Sequence, residues 1–430
     1  MGGNHLETSE VIDDANVGLA KLEHYFDELE TRSDEKRAED LAGILPGHLK
    51  NVRDNCEGMS QILGEFSLDT FDTVASLQKL PVLRKSDLIE AQKEKPPLGG
   101  YNAIPIHEFD NLFQSPGPIF EPGKLDNDWW RGARGLFASG FRFNDIVQNC
   151  FSYHLTPAGM MYESAVRSLG ATVVPSGTGQ TEMQVSSFER LGVTAYVGTP
   201  DYLKVILDRA DETSADLSAL KRAHVGGGAL FPSLRQEYID RGVSCYQSYG
   251  TADLGLIAYE SPALEGMIID EGVIVEIVTP GTGNAVAEGE VGEVVVTSLN
   301  QDYPLVRFAT GDLSSFLPGK SSCGRTNQRI KGWMGRADQT TKIKGMFVRP
   351  EQVAEFVSKD KNILKARVIV FRENEMDTMV VKVETINGGN RDNLAALTKE
   401  VFKLKADIEI CSKNTLPKDG KVIDDQRNYK

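Results

Sequence analysis

Two neighbouring stretches combine residue types and spacing that could do chemistry: VGGGAL (Val225–Leu230) and YQSYGTADLG (Tyr246–Gly255). Gly226, Gly227 and Gly228 remove side chains where a backbone must come close to a flat ligand. Tyr249 offers a ring face, and Thr251 and Asp253 offer oxygens to a phosphate-bound metal. Further on, RFATGDLSSF (Arg307–Phe316) puts Asp312 just past a strand end, where a carboxylate can accept both hydroxyls of a ribose. GWMGRADQTTKIKGMFV (Gly332–Val348) presents Arg336, Asp338, Lys342 and Lys344 on a basic strand after a turn. LPKDGKVIDDQR (Leu416–Arg427) carries Lys421 on a glycine-softened loop, from which a cation can reach a developing negative charge. Each stretch alone also has a plain structural reading: a strand–turn–helix junction, a turn aspartate, a solvated charged face, an exposed terminal lysine.

The elements that must position these residues alternate between helix and strand. Residues from about Asn16 to Asp69 read as helix, with apolar residues at three- and four-residue steps. LQKLPVLRKSDLIEAQ (Leu77–Gln92) offers Ser86 and Asp87 as a helix cap. A Pro/Gly-dense loop, FQSPGPIFEPGKLDNDWW (Phe113–Trp130), then leads into a helix with Arg131 and Arg134. From GMMYESAVRSLG onward, helices of ten to fifteen residues separate the strands ATVVPS, TAYVGT and LKRAHV. That pattern predicts a parallel sheet with right-handed crossovers and a ligand at the carboxyl ends of its strands. SGTGQTE (Ser176–Glu182), GTPDY and GGGAL all fall at those ends. SGTGQTE lacks the third glycine and the acidic partner of a dinucleotide fingerprint. From Gly266 to Phe316 the pattern is that of half-buried antiparallel strands. After GWMGRADQ a compact α+β set of about ninety residues begins.

The expected fold is therefore α/β. A large domain, residues 1–337, holds the parallel sheet and a β-rich subdomain, and a small mobile α+β domain, residues 338–430, follows a hinge at Asp338. A length of 430 residues suits two or three domains. The formal net charge of −15 disfavours non-specific binding to nucleic acid or to an anionic membrane. No run approaches the roughly 18 apolar residues of a membrane span. MGGNHLETSE has no apolar core of a secretory signal, and Leu6 stands where myristoylation wants Ser or Thr. Five scattered cysteines without a CxxC favour reduced thiols in a cytoplasm over disulfides or structural zinc.

Taken in order, these motifs resemble the adenylate-forming acyl-CoA synthetase superfamily, and within it the phenylacetate-CoA ligase branch. LQKLPVLRKSDL, NCFSYHLTPAGMMYESAVRSLGATVVPSGTGQTEMQ, GTPDYL, YGTADLG, RFATGDL, GWMGRADQTTKIKGMFVRPEQV and the terminal GK carry the resemblance along nearly the whole chain. It implies ATP-dependent, AMP-forming ligation of a carboxylic acid, aryl or small acyl, to coenzyme A through an acyl-adenylate. ATP, Mg2+ and coenzyme A are implied with it, and so is a homodimer; the cytoplasm, and the lack of nucleic-acid or membrane partners, are expected from the cysteines, charge and hydropathy above. By the same resemblance Gly227, Gly228 and Ala229 flank the adenine, Tyr249 stacks near it, and Gly250 and Thr251 line the phosphate path. Asp253 takes the place of the magnesium-binding glutamate. Asp312 holds the ribose and Arg336 contacts ribose or phosphate. Lys421 stabilises the adenylation transition state, and Lys342 stands where some members use a lysine in the second half-reaction. Tyr153, His154 and Pro157 border the acyl pocket, with Phe120 and Met160 as further candidates to line it. For His154 a core position is an equal expectation.

One stretch departs from the family pattern. Where a Ser/Thr/Gly-rich phosphate loop ending in lysine is expected, the chain reads SPGPIFEPG (Ser115–Gly123). Ser115 and Gly117 remain, whereas Pro116, Pro118 and Pro122 have no N–H to donate and Glu121 adds negative charge. Lys124, Arg131 and Arg134 are the candidates to replace the missing cation. The altered loop leaves a second reading open, a nucleotide- or acyl-CoA-binding homologue that performs acyl transfer or no catalysis.

Overall fold

The computed structural model describes residues 24–427 except 116, 117, 126, 127, 229, 338, 340, 344, 345, 374, 375, 418 and 420. Gly117, Ala229, Asp338 and the side chain of Lys342 thus lie outside the described residues, as does the start of the expected N-terminal helix.

Helix α1 (Asp34–Asn55) runs on through Pro46, with Ser33 accepting from the Lys36 N–H at its start. Ahead of it, among the described residues, residues 25–33 form a strap with one 3-10 turn (Glu28–Thr31), which interrupts the continuous helix that the periodicity suggests. The reason is electrostatic. Glu30, 1% exposed, accepts from the Tyr259 hydroxyl at 2.8 Å and the Phe26 N–H at 3.0 Å, and pairs with Arg325 at 3.1 Å. An extended strap brings that carboxylate to its partners. Helix α2 (Lys85–Glu94) starts at Lys85, with Asp87 accepting from the Arg84 N–H at 3.0 Å. A hairpin of β1 (Asn111–Ser115) and β2 (Ile119–Gly123) takes the place of the expected Pro/Gly loop. Gln92 fastens α2 to it by bonding both the N–H and the carbonyl of Phe120. Helix α3 (Gly132–Ala138) follows.

The main sheet contains the parallel strands β3 (Ile146–Asn149), β4 (Thr172–Pro175), β5 (Ala195–Gly198), β6 (Arg222–Val225) and β7 (Ser244–Thr251). Helices α4 (Ala158–Ser168), α5 (Thr181–Leu191), α6 (Pro200–Thr213) and α7 (Pro232–Asp240) connect them. In α6 a proline at the first turn sets the start, and Leu203, Ile206, Leu207 and Ala210 recur at helical spacing on the buried side. Strand order runs β4-β3-β5-β6-β7, so the chain reverses direction of growth at β3 and opens a crevice there. Past β7 the sheet turns antiparallel through β8 (Gly255–Tyr259) and β9 (Met267–Ile269).

A second sheet packs β10 (Val273–Val278), β11 (Gly292–Ser298) and β12 (Phe308–Ser314) antiparallel, with the two-residue strand Leu83–Arg84 parallel to its edge. These strands are not half-buried: every residue of β10 and β11 is buried. Their alternating polar positions are ion-paired rather than solvated. Glu276 meets Arg307 at 2.9 Å, and Glu293 meets Arg84 at 3.3 Å.

Residues 341–425 contain the expected α+β elements. Helices α8 (Pro350–Lys359) and α9 (Arg391–Phe402) cover a four-stranded sheet whose central strands are Ile363–Glu373 and Met376–Thr385. Val353, Phe356, Val368, Val381 and Phe402 belong to a separate apolar core there. Among the described residues no helix is long and apolar enough to cross a membrane. All five cysteines are free.

Two buried histidines make the fold sensitive to acid. Burial alone lowers the His224 imidazole to about 3, and burial lowers His48 to about 4. Unfolded imidazoles take up protons near 6.5, so stability present above that pH is lost as pH falls toward the folded values, at up to about 1.4 kcal/mol per pH unit for each group. Urea unfolding at a series of pH values should show this slope between about pH 6.5 and 4, and His224→Phe should remove up to one group's share. An unchanged slope in the variant would contradict the assignment.

Candidate functional site

Strand β7 and its turn into β8 feed three adjoining environments. Ser248, Gly250 and Thr251 face a cavity of about 220 Å³ at the carboxyl ends of the parallel strands. Its other walls include Ser115, Trp130, Phe151, Pro157, Met161, Tyr162, Gly227 and Leu256, and the lining is mostly apolar. Phe151 stacks on Tyr162 with ring centroids 4.4 Å apart, and the Tyr162 hydroxyl is 2.7 Å from Ser248 Oγ. One wall is therefore held by an aromatic pair tied to β7.

Tyr249, between two cavity residues, is turned into the protein interior. Its hydroxyl lies 2.9 Å from Asp312 Oδ2 and 3.0 Å from Thr310 Oγ1. Asp312 Oδ1 accepts from Arg336 at 2.9 Å and from Trp333 Nε1 at 3.1 Å. Three of the residues singled out in the sequence thus converge, but Tyr249 presents its hydroxyl to the carboxylate where a stacking ring was expected. Trp333 was missed; its signal was its place in GWMGR, two residues before a glycine-arginine step. Gly311, at φ +73°, leaves room for this cluster: a Cβ there would lie 2.8 Å from Arg336 Nη2.

Asp253 begins the third environment. Its side chain is 1% exposed; Oδ2 meets Lys85 Nζ at 3.2 Å, and Oδ1 has no hydrogen-bond partner. Burial raises its carboxyl, and the neighbouring Lys85 charge works the other way. Glu121, fully buried on β2, has neither oxygen in a well-formed hydrogen bond, although Ser115 lies near enough to favour its charged form. Burial, with the charge of Asp253 added, pushes Glu121 up to about 8. Buried Tyr303 completes the group with an unpartnered hydroxyl. Sequence reading singled out neither Lys85 nor Tyr303, because nothing in LRKSDL or in QDYPL marks a side chain that crosses to another element.

The other expected residues divide clearly. Pro157 and Ser115 line the cavity. Tyr153 accepts from Asn149 at 2.8 Å and His154 is exposed, so neither they nor Phe120 and Met160 belong to the lining, and His154 is not a core residue. Met161, one residue along α4, takes the place expected of Met160. Gly228 lies beside Pro200. Lys421 is half-exposed, 3.5 Å from Asp424, and outside the cavity lining. The cations proposed to replace the loop lysine are engaged elsewhere. Arg131 bonds Asp270 at 2.9 Å and the carbonyls of Leu254 and Leu256; Arg134 binds Asp27 at 2.6 Å; Lys124 lies 3.5 Å from Asp302.

Local backbone geometry explains the glycine that ends YGTADLG. Gly255 has φ +73°, and a Cβ there would lie 2.6 Å from the carbonyl oxygen of Trp130. That carbonyl accepts the Leu256 N–H at 3.0 Å. Gly255→Ala should cost more than the roughly 1–2 kcal/mol of left-handed strain and shift the tryptophan fluorescence. Gly192→Ala, at φ +61° with open space around it, should cost the strain alone. Equal losses in urea unfolding would show that the close approach to Trp130 is unimportant.

Comparison with known proteins adds the following. Residues 138–300 match the family described as AMP-binding enzyme. The chain is 28% identical over 389 residues to a phenylacetate-coenzyme A ligase of Aromatoleum evansii, covering 83% of this chain and 86% of that protein. It is 29% identical over 380 residues to the phenylacetate-coenzyme A ligase of Pseudomonas putida, covering 84% of each. Among solved structures, an open conformation of 2-hydroxyisobutyryl-CoA ligase in complex with 2-HIB-AMP and CoA superposes with a TM-score of 0.69 at 21% identity, over 90% of each chain. That likeness concerns the fold.

Proposed function

We propose, on the premise that the chain is a phenylacetate-CoA ligase-like member of the adenylate-forming superfamily, that it ligates a small or aryl carboxylic acid to coenzyme A with ATP, releasing AMP and pyrophosphate. The observation that carries the proposal is the division of labour along β7: an apolar cavity on one side, and a buried Tyr249–Asp312–Arg336 cluster on the other. A carboxylic acid needs the first, and a ribose needs the second. The reading without ligation is not favoured, since the relatives spanning most of the chain are ligases by name.

In the first half-reaction a carboxylate oxygen bonds to the α-phosphorus of ATP and the bond to pyrophosphate breaks. In the second, the CoA sulfur bonds to the acyl carbon and AMP leaves. The apolar lining, with Trp130, Phe151, Tyr162 and Leu256, excludes water from the mixed anhydride and orients the acid. Gly227 and Gly250 let the nucleotide approach the backbone. Asp312 receives ribose hydroxyls, and Arg336 offers a cation beside them. Asp253, with a buried oxygen that lacks a partner, fits a hard divalent cation; Mg2+ bound there supplies charge neutralisation at the phosphates.

Residues 1–337 form the acyl- and nucleotide-binding domain in this reading, and residues 338–430 a lid turning at Asp338. A separate apolar core in the C-terminal segment supports it. So does the position of Lys421: it is half-exposed and outside the cavity, so it must move to act on the α-phosphate, and Lys342 follows as the candidate for the second step. A cytoplasmic setting accords with five free cysteines, and a homodimer is the assembly we expect.

Pyrophosphate release with a panel of aryl and short-chain acids plus CoA tests the proposal. Lys421→Ala should lower the adenylation rate by about 10²–10³ while leaving AMP binding intact by calorimetry. Asp312→Ala should weaken AMP binding itself. No pyrophosphate release with any acid would overturn the ligase reading, and loss of AMP binding in Lys421→Ala would overturn the assigned role.

A further inference from the structure

The cavity at the carboxyl ends of the parallel strands is mostly apolar, yet two of its lining residues bring hydroxyls that meet each other. Tyr162 on α4 and Ser248 on β7 hold their oxygens 2.7 Å apart. Each hydroxyl carries one hydrogen, and the bond between them uses one of the two. Neither makes another hydrogen bond among the described residues, so one hydroxyl hydrogen is left over on an apolar wall. Gly226 keeps this place open: a Cβ there would lie 3.1 Å from the Tyr162 oxygen and 3.4 Å from Ser248 Oγ. Phe151 stacks on the Tyr162 ring, which fixes where the pair sits. Water answers the spare hydrogen while the cavity is wet. A ligand that displaces the water must replace that partner or leave a buried donor unpaired, which is costly.

We propose that this hydroxyl pair selects the acid: the cavity takes an aryl carboxylic acid with a ring hydroxyl meta or para to the carbon that bears the acid group, and Tyr162 and Ser248 read that hydroxyl. The inference rests on the ligase reading and narrows its substrate class. That reading brings the nucleotide to the backbone at Gly250, and Ser248 lies two residues before it on the same cavity wall. Two residues of strand advance roughly 6–7 Å, the span of one benzene ring with a substituent at each end. An acid whose carboxylate lies at the nucleotide end therefore sets the far side of its ring against Tyr162 and Ser248. A ring hydroxyl there accepts the spare hydrogen and donates its own to a lone pair of the same two oxygens. Trp130, Phe151 and Leu256 give the ring apolar walls. An unsubstituted ring shuts the spare hydrogen in against carbon, and the discrimination arises from that loss.

Matched acids test this: benzoate against 3- and 4-hydroxybenzoate, and phenylacetate against 4-hydroxyphenylacetate. Each is read by pyrophosphate release with ATP and CoA, and by calorimetric binding to the protein without ATP. In at least one set the hydroxylated acid should exceed its parent by about tenfold or more in kcat/KM and in affinity. In the double variant Tyr162→Phe with Ser248→Ala, which removes both oxygens and keeps the stacked ring, the ratio should fall to about one. Circular dichroism establishes that the variant is folded, and if it is not, the wild-type ratios decide. Ratios of about one or below in both wild-type sets, or a preference unchanged in the folded double variant, overturn the inference. Pyrophosphate release without a hydroxyl preference defeats the inference alone. A hydroxyl preference in binding, with no pyrophosphate released from any acid, defeats the ligase reading alone. Binding and turnover of none of the acids defeats both.

Discussion

Everything at the site depends on one close approach of two backbones. β7 has a parallel neighbour on one edge and an antiparallel one on the other, so the chain must reverse tightly at its end. It does so against the segment Trp130–Arg131. The Trp130 carbonyl accepts from Leu256, and the Arg131 guanidinium, on a residue at φ +65°, donates to the carbonyls of Leu254 and Leu256. A non-glycine residue at 255 has no space in that arrangement. Because the turn is pinned, Ser248 and Gly250 stay on the cavity side, Tyr249 stays toward Asp312, and Asp253 is delivered into the interior beside Lys85.

The same clamp determines where positive charge is found. Asp270, 1% exposed, sits between Arg131 at 2.9 Å and Arg134 at 3.3 Å, and Arg134 also binds the strap through Asp27 and Glu30. Removing either arginine from that network to serve a phosphate would strip the buried Asp270 of one of its two cationic partners, and buried pairs are costly to break. These two cations are structural for that reason, whatever their nearness in sequence to the altered loop. Lys85 is bound in the same way: its own side chain is partly exposed, but that of Asp253 is 1% exposed, so opening the pair would leave a buried carboxylate without its cation.

Much of this was legible in the amino-acid order, and the failures have physical causes. The helices and strands around ATVVPS, TAYVGT and LKRAHV were readable because one face of each helix is apolar and short β-branched or apolar runs alternate with those helices. The first parallel strand, IVQN, was not. Its Gln148 and Asn149 are fully buried but look polar, and only the fold reveals that Gln148 donates to Gln184, and Asn149 to Tyr153 and the Gly159 carbonyl. The second sheet misled in the same way: Glu276 and Glu293 suggested a solvated face, while Arg307 and Arg84 arrive from distant segments to neutralise them. Motif residues such as Asp312 and Tyr249 were readable as chemistry. Their mutual hydrogen bond was not, since sixty-odd residues separate them in the chain.

That hydrogen bond bears on how the Asp312 cluster can work. Asp312 has one oxygen facing the rigid strand, occupied by Tyr249, and one facing the irregular run that contains Trp333 and Arg336. Trp333 is 54% exposed and the Arg336 side chain 56%, whereas Tyr249 is 8% exposed. A hydroxyl arriving from solvent therefore meets Asp312 on the Trp333–Arg336 side. The Tyr249 bond holds the carboxylate's plane while this happens, because breaking it would leave a phenol buried without an acceptor other than Thr310. The two halves of the cluster thus differ: the strand side fixes the acceptor, and the Trp333–Arg336 side is the one that solvent reaches.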